Sequence, residues 1–125
     1  MIRQVRHPLV RQDIIGIFEH VLEATRGDLD AAERRLDEID ALLADIAANP
    51  VSGVRLEGRL AGWLVRHGGR RHRITIVFRP DPRQELVHIA LVAFGGRDWM
   101  AAAVGRRDEA DHPASRVHSP GWEGG

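Results

Sequence analysis

Arg66, Arg70, Arg71 and Arg73 place four guanidiniums within eight residues, in the stretch WLVRHGGRRHR, with His67 and His72 among them. Like charges this close repel one another unless an anion or an acidic partner lies nearby, and phosphate backbones and acidic protein segments both supply one. Each guanidinium also offers a planar fork of donors that matches a phosphate or carboxylate bidentately. A further arginine follows the last apolar run, in Gly95-Gly96-Arg97-Asp98-Trp99. Arg59, Arg97 and Trp99 join Arg66, Arg70 and Arg71 as candidate contacts to a nucleic acid or a protein partner. Histidine is the usual proton carrier near neutral pH, so His72 is a candidate base, with His67 nearby and Glu57 as the carboxylate alternative.

Each of these residues also has a plainer role open to it. Arg73 would serve as a solvent-facing strand residue paired with Glu85 or Asp98. Arg97 and Asp98 would form a turn ion pair of small energetic weight. His72 would be a surface histidine, and Trp63 a sheet anchor in place of a base-stacking platform. Trp99 would pack on the sheet edge or on a partner.

Composition removes several classes of chemistry. The chain has no cysteine, so disulfides and cysteine metal sites are excluded. All eighteen basic side chains are arginine, so no mechanism uses a lysine base or nucleophile. His20, His88, His112 and His118 do not fall at metal-ligand spacing with carboxylates, and neither a metal nor an organic cofactor is expected. No apolar run approaches the roughly 20 residues of a bilayer span. The opening MIRQVRHPLV lacks the apolar centre of a signal peptide, so the expectation is a cytoplasmic protein with no membrane role. The zero net charge conceals segregation: residues 11–50 hold ten acids and four arginines, net −6, while residues 51–107 hold eleven arginines and four acids, net +7. Such a chain presents an acidic and a basic surface if the two halves occupy different sides of the fold.

The elements that must position these groups follow from periodicity. Ile2–Val5 alternates like a short strand, closed by His7-Pro8. Val10, Ile14, Phe18, Val21 and Leu22 then fall on one helical face, with Arg11, Asp13, Glu19 and Glu23 elsewhere. Gly27 suits a helix C-terminus and Asp28 the N-cap of a second helix, which makes the pair an antiparallel hairpin. Helix two carries Leu29, Ala32, Leu36, Ile39, Leu43 and Ile46 on one stripe and stops at Asn49-Pro50. Residues 51–61 form an irregular loop. Residues 62–67, 73–79 and 86–94 predict an antiparallel meander, with turns at Gly68-Gly69 and Pro80-Asp81-Pro82. In the middle strand Ile74, Ile76 and Phe78 share one face, while Arg73, Thr75, Val77 and Arg79 share the other. Trp99–Val104 predicts one or two helical turns, and residues 105–125 have the composition of a disordered tail. The expected class is α+β: an N-terminal strand and a two-helix hairpin packed on a small antiparallel sheet. The arginines would then lie on the other sheet face or its rim.

This order of elements resembles the RelE/ParE family of bacterial toxin–antitoxin toxins. ADIAANPVSGVRL is similar to the family's apolar helix end followed by Pro and Gly. LAGWLVRHGGRRHRITIVF looks like its two central strands, and VHIALVAFGGRDW resembles the last strand of ParE-type members. The resemblance covers residues 1–104 as a single toxin domain and leaves 105–125 as an unmatched, flexible tail.

What the resemblance implies is a growth-arresting toxin bound and silenced by a small cognate antitoxin in a heteromeric complex. ParE-like members act on DNA gyrase, and RelE-like members cut messenger RNA on the ribosome without a metal. In the cleaving version Arg73 and Arg97 occupy the positions of the family's active-site arginines, with His72 or Glu57 as base. Cleaving relatives often carry a histidine or tyrosine near the end of the last strand. Here that stretch is Gly95-Gly96-Arg97-Asp98-Trp99-Met100 and the chain has no tyrosine, which places gyrase inhibition ahead. A degenerate, non-toxic antitoxin-binding protein is the remaining alternative.

Overall fold

The computed structural model describes residues 2–111 and 123–124. Its elements are β1 (Arg3–Arg6), α1 (Val10–Ala24), α2 (Leu29–Ala48), β2 (Val54–Arg55), β3 (Leu64–Gly68), β4 (Ile74–Asp81), β5 (Leu86–Phe94), α3 (Trp99–Asp111) and β6 (Glu123–Gly124). Short 3₁₀ turns at Gly58–Leu60 and Arg70–His72 precede β3 and β4 respectively. The sheet order is β2-β3-β4-β5-β1-β6. This is the expected α+β architecture, with one departure: β1 runs parallel to β5, Arg3 opposite Leu86 and Arg6 opposite Ile89. A parallel neighbour requires a crossover, and here everything from α1 to β4 lies between the two strands.

The helical hairpin forms for local reasons. Asp28 caps α2 by accepting a hydrogen bond from the Ala31 N–H at 3.0 Å, satisfying one of the donors that a helix start leaves open. Gly27 takes a φ of +94°, and its N–H bonds to the Leu22 carbonyl at 2.7 Å, closing α1. The buried faces are Val10, Ile17 and Val21 of α1 with Ala32, Ile39, Leu42, Leu43 and Ile46 of α2. They cover Ile74, Ile76 and Phe78 of β4 and Val87, Ile89 and Val92 of β5. Leu29, assigned to this stripe by spacing, is 52% exposed; it is the first residue of α2, where the chain has only begun to approach the sheet.

Of the arginines expected on the opposite sheet face or its rim, Arg79 lies on that face, over Trp63. The same face holds a second apolar cluster, in which Leu60, Trp63, Val65, Val77, Ala90, Leu91 and Ala93 pack with Ala103 of α3. Trp63 is 1% exposed, with the Arg79 guanidinium over its ring at 4.9 Å; it is the sheet anchor. A β-bulge between Val77 and Phe78 adds one residue to β5 there, so Ala90 and Leu91 both join this cluster while Ile89 and Val92 join the other. α3 runs to Asp111, so residues 105–111, assigned to the tail by composition, continue a helix. The rest of that predicted tail, apart from Glu123–Gly124, lies outside the described residues.

α1 and α3 lie on opposite faces of the sheet and meet at its edge. β1 accompanies β5 only as far as Ile89. Beyond it, the Val92 N–H donates to Asp13 Oδ2 at 3.0 Å, and the Ala90 carbonyl accepts from the Arg106 guanidinium at 3.0 Å. Arg106 also grips Asp13 bidentately, one contact being 2.8 Å. The side chains of Arg106 and Asp13 are 10% and 4% exposed.

Removing one member of a buried, hydrogen-bonded ion pair leaves an uncompensated charge and costs roughly 3–5 kcal/mol. Asp13→Ala and Arg106→Ala are therefore each expected to lower the urea midpoint strongly. A double Asp13→Leu, Arg106→Met variant is expected to recover only part of the loss, because the Val92 N–H and the Ala90 carbonyl are left without their partners. Equal midpoints for wild type and single variants would show that the pair is energetically idle.

Candidate functional site

The turn between β3 and β4 is built to hold its arginines in one orientation. Gly69 has a φ of +72°, and a Cβ there would lie 2.7 Å from both Glu38 Oε2 and Ile74 Cδ1. Only glycine fits. The Arg70 N–H then donates to Glu38 Oε2 at 3.1 Å, tying the turn to α2. Arg71 and His72 follow with φ of 59° and 55°, a left-handed conformation that costs a side-chain-bearing residue on the order of 1 kcal/mol each. That strain is held by the His72 N–H bond to the Gly69 carbonyl (3.1 Å) and by the Gly95 N–H bond to the Arg73 carbonyl (2.9 Å).

The second of these bonds decides the geometry of the site. It places Arg73 beside the end of β5, where its guanidinium lies 5.2 Å from the Phe94 ring centroid. Arg73 then lines a cleft of about 240 Å³ with His20, Val21, Ala24, Thr25, Ala31, Arg34, Arg35, Arg70 and Phe94. These residues come from α1, the helical connection, α2, the Arg70–His72 turn and β5. Arg97 lines a wider groove of about 560 Å³ with Leu9, Gln12, Asp13, Gly16, Ile17, His20, Phe94 and Arg106. The two hollows share His20 and Phe94, whose rings meet edge to face at 6.0 Å between centroids. Arg73 and Arg97, 24 positions apart in the chain, thus lie in adjoining hollows at the same end of the sheet.

The other sequence candidates separate. Arg66 faces α2 from β3, half-buried, donating to Ser52 Oγ at 3.2 Å and lying 3.9 Å from Asp45. Its role is to join β3 to α2, and it lines neither hollow. Arg71 and His72 are exposed and line neither hollow. Glu57 and Arg59 sit at the other end of the sheet, since the Leu56 N–H bonds to the Trp63 carbonyl at 2.9 Å just before β3 begins. Leu64 pairs with Phe78, whereas Arg73 precedes Ile74. The four-residue offset along β4 amounts to roughly 13 Å, so Glu57 is no partner for Arg73. Trp99 is half-buried and packs on the second apolar cluster, with its ring 6.1 Å from that of His67. His67 in turn shares a 2.8 Å hydrogen bond with Thr75.

No family model, no curated protein and no solved structure matches this chain. The site must be read from its own chemistry.

Sequence reasoning missed His20, Arg34 and Arg35, because they belong to the acidic half of the chain. Helical spacing gave a usable signal: His20 follows Ile17 by three positions and Arg34 and Arg35 follow Ala31 by three and four, at one end of the hairpin. Among the described residues no group of three or more His, Asp or Glu is arranged to hold a metal. The arrangement suits an anion: the cleft is lined by four arginines and a histidine, with no carboxylate in the lining.

Exposed arginines contribute little to stability. Arg73→Ala and Arg97→Ala are expected to melt within a few degrees of wild type, while Trp99→Ala, which opens space in the second cluster, is expected to lose about 2 kcal/mol or more. Thermal melts by circular dichroism distinguish the two groups; an unchanged Trp99→Ala would return that side chain to the surface.

Proposed function

We propose that this chain is the toxin of a type II toxin–antitoxin module, a RelE/ParE-like protein that arrests growth through ParE-like inhibition of DNA gyrase and is silenced by a cognate antitoxin. The observation that carries this reading is the convergence of Arg73 and Arg97 at one end of the sheet, in hollows that share His20 and Phe94. The resemblance singles out those two arginines in its mRNA-cleaving members, and a strand, two helices and then an antiparallel run of strands accompany them. Binding in place of catalysis is favoured because Glu57 lies at the far end of the sheet and His72 lines neither hollow.

One observation favours RelE-like cleavage of messenger RNA as a second reading: His20 lines both the hollow of Arg73 and that of Arg97. In that version a base takes the 2′-hydroxyl proton as the 2′-oxygen bonds to phosphorus, the P–O5′ bond breaks with a proton delivered to the leaving 5′-oxygen, and Arg73 and Arg97 stabilise the negative charge on the phosphorane oxygens. His20 then replaces His72 and Glu57 as the proton carrier.

Pulse labelling after brief induction in a bacterial host tests both readings. DNA synthesis falling before protein synthesis is the expected result, and Arg73→Ala with Arg97→Ala is expected to remove the arrest. Protein synthesis falling first, with His20→Ala inactive, would move the assignment to RNA cleavage. Wild-type protein that leaves both unchanged would overturn the toxin reading.

A further inference from the structure

The cleft beside Phe94 carries an inference that does not depend on the toxin reading. Of its four arginines, Arg35 is neutralised by Glu38 at 2.9 Å. Arg73 lies on the face of Phe94. Among the described residues no carboxylate lies within ion-pair distance of Arg34, Arg70 or Arg73. Glu38, the nearest acid on that side, already accepts from Arg35 and from the Arg70 N–H. The Thr25 hydroxyl is likewise engaged, donating to the Val21 carbonyl at 2.6 Å.

Three guanidiniums therefore share a hollow of about 240 Å³ with none of them ion-paired among the described residues. They are brought there by two parts of the chain, Arg34 on α2 and Arg70 and Arg73 on the strained turn that leads into β4. A glycine that tolerates no side chain and two left-handed residues keep that turn in place. Such strain persists only where the surroundings enforce it, and it concentrates at ligand sites. The size and charge of the hollow select the ligand: a compact group of charge about −2 with several acceptor oxygens.

We propose that this cleft is a binding site for a terminal phosphate group, a phosphomonoester or pyrophosphate held by Arg34, Arg70 and Arg73. The source is either a free nucleotide or pyrophosphate, or the 5′-phosphate end of a nucleic acid strand. Arg34 has no place in the gyrase or cleavage readings above, so a variant at this position separates this inference from those readings.

The test uses the full chain, with calorimetry for pyrophosphate and ATP and fluorescence anisotropy for a labelled single-stranded decanucleotide carrying either a 5′-phosphate or a 5′-hydroxyl. Binding of pyrophosphate or ATP, or at least tenfold tighter binding of the 5′-phosphorylated strand, is the expected result. Arg34→Gln and Arg70→Gln are each expected to weaken it about tenfold, the scale of one charge-assisted hydrogen bond. Both side chains are exposed, so unchanged melting curves will show that the variants fold. Response to pyrophosphate and ATP alone names a free ligand, and response confined to the phosphorylated strand names a nucleic acid end. Equal binding of the two strands, with no binding of pyrophosphate or ATP, would overturn the proposal in favour of a general polyanion surface. Absence of binding by every phosphate probe, or tighter binding of an acidic decapeptide, would overturn it as well.

Discussion

The contact between Asp13 and Arg106 holds together parts of the molecule that otherwise share only the sheet. β1 leaves β5 after Ile89, and the strand continues to Phe94 with one edge uncovered by a strand. Backbone groups there need partners, because an unpaired buried amide or carbonyl is costly. A carboxylate from α1 and a guanidinium from α3 supply them, and each satisfies the other at the same time. The contact therefore fixes where α1 crosses one face and where α3 crosses the other. Residues around it, Gln12 and Gly16 on α1 and Arg97 before α3, form the walls of the wider groove. The shape of the functional face thus depends on a buried pair that itself lines the wider groove.

Most of the architecture could be read from the chain. The helical hairpin, its turn and the meander all rest on local signals: the period of apolar residues, an Asp28 cap and paired glycines. β5 falls at residues 86–94 as expected. β4, in contrast, continues through Pro80 to Asp81, and the turn shifts to residues 82–85. Pro80 is allowed there by the local arrangement of the ladder, which a rule based on proline alone does not see.

The misreadings share one physical cause. Asp13 was placed on the polar face of α1, yet it is buried because its partner lies 93 positions later. Arg106 was assigned to a tail because Gly105 and the charges around it resemble linker composition. Neither residue carries a local signal for the other. α3 was shortened for the same reason: its small side chains, among them Ala102 and Ala103, give a weak amphipathic pattern but suit close approach to a sheet. The site shows the same limit. Arg73 and Arg97 stand out as arginines in a basic half, whereas the helical spacing of His20 and Arg34 gains meaning once the hairpin is laid against the end of β5.

The parallel pairing of β1 with β5 has a consequence for the order in which the molecule is made. Its partners are 83 positions apart, from Arg3 opposite Leu86 to Arg6 opposite Ile89, and contacts of such separation form late. During synthesis the α1–α2 hairpin emerges well before any strand able to cover it, with Ile39, Leu43 and Ile46 open to water. Its apolar stripe is then an association hazard. The surplus of acid over base in residues 11–50, net −6, makes nascent hairpins repel one another while they wait. The arginine-rich strands that follow, net +7 over residues 51–107, are drawn toward it.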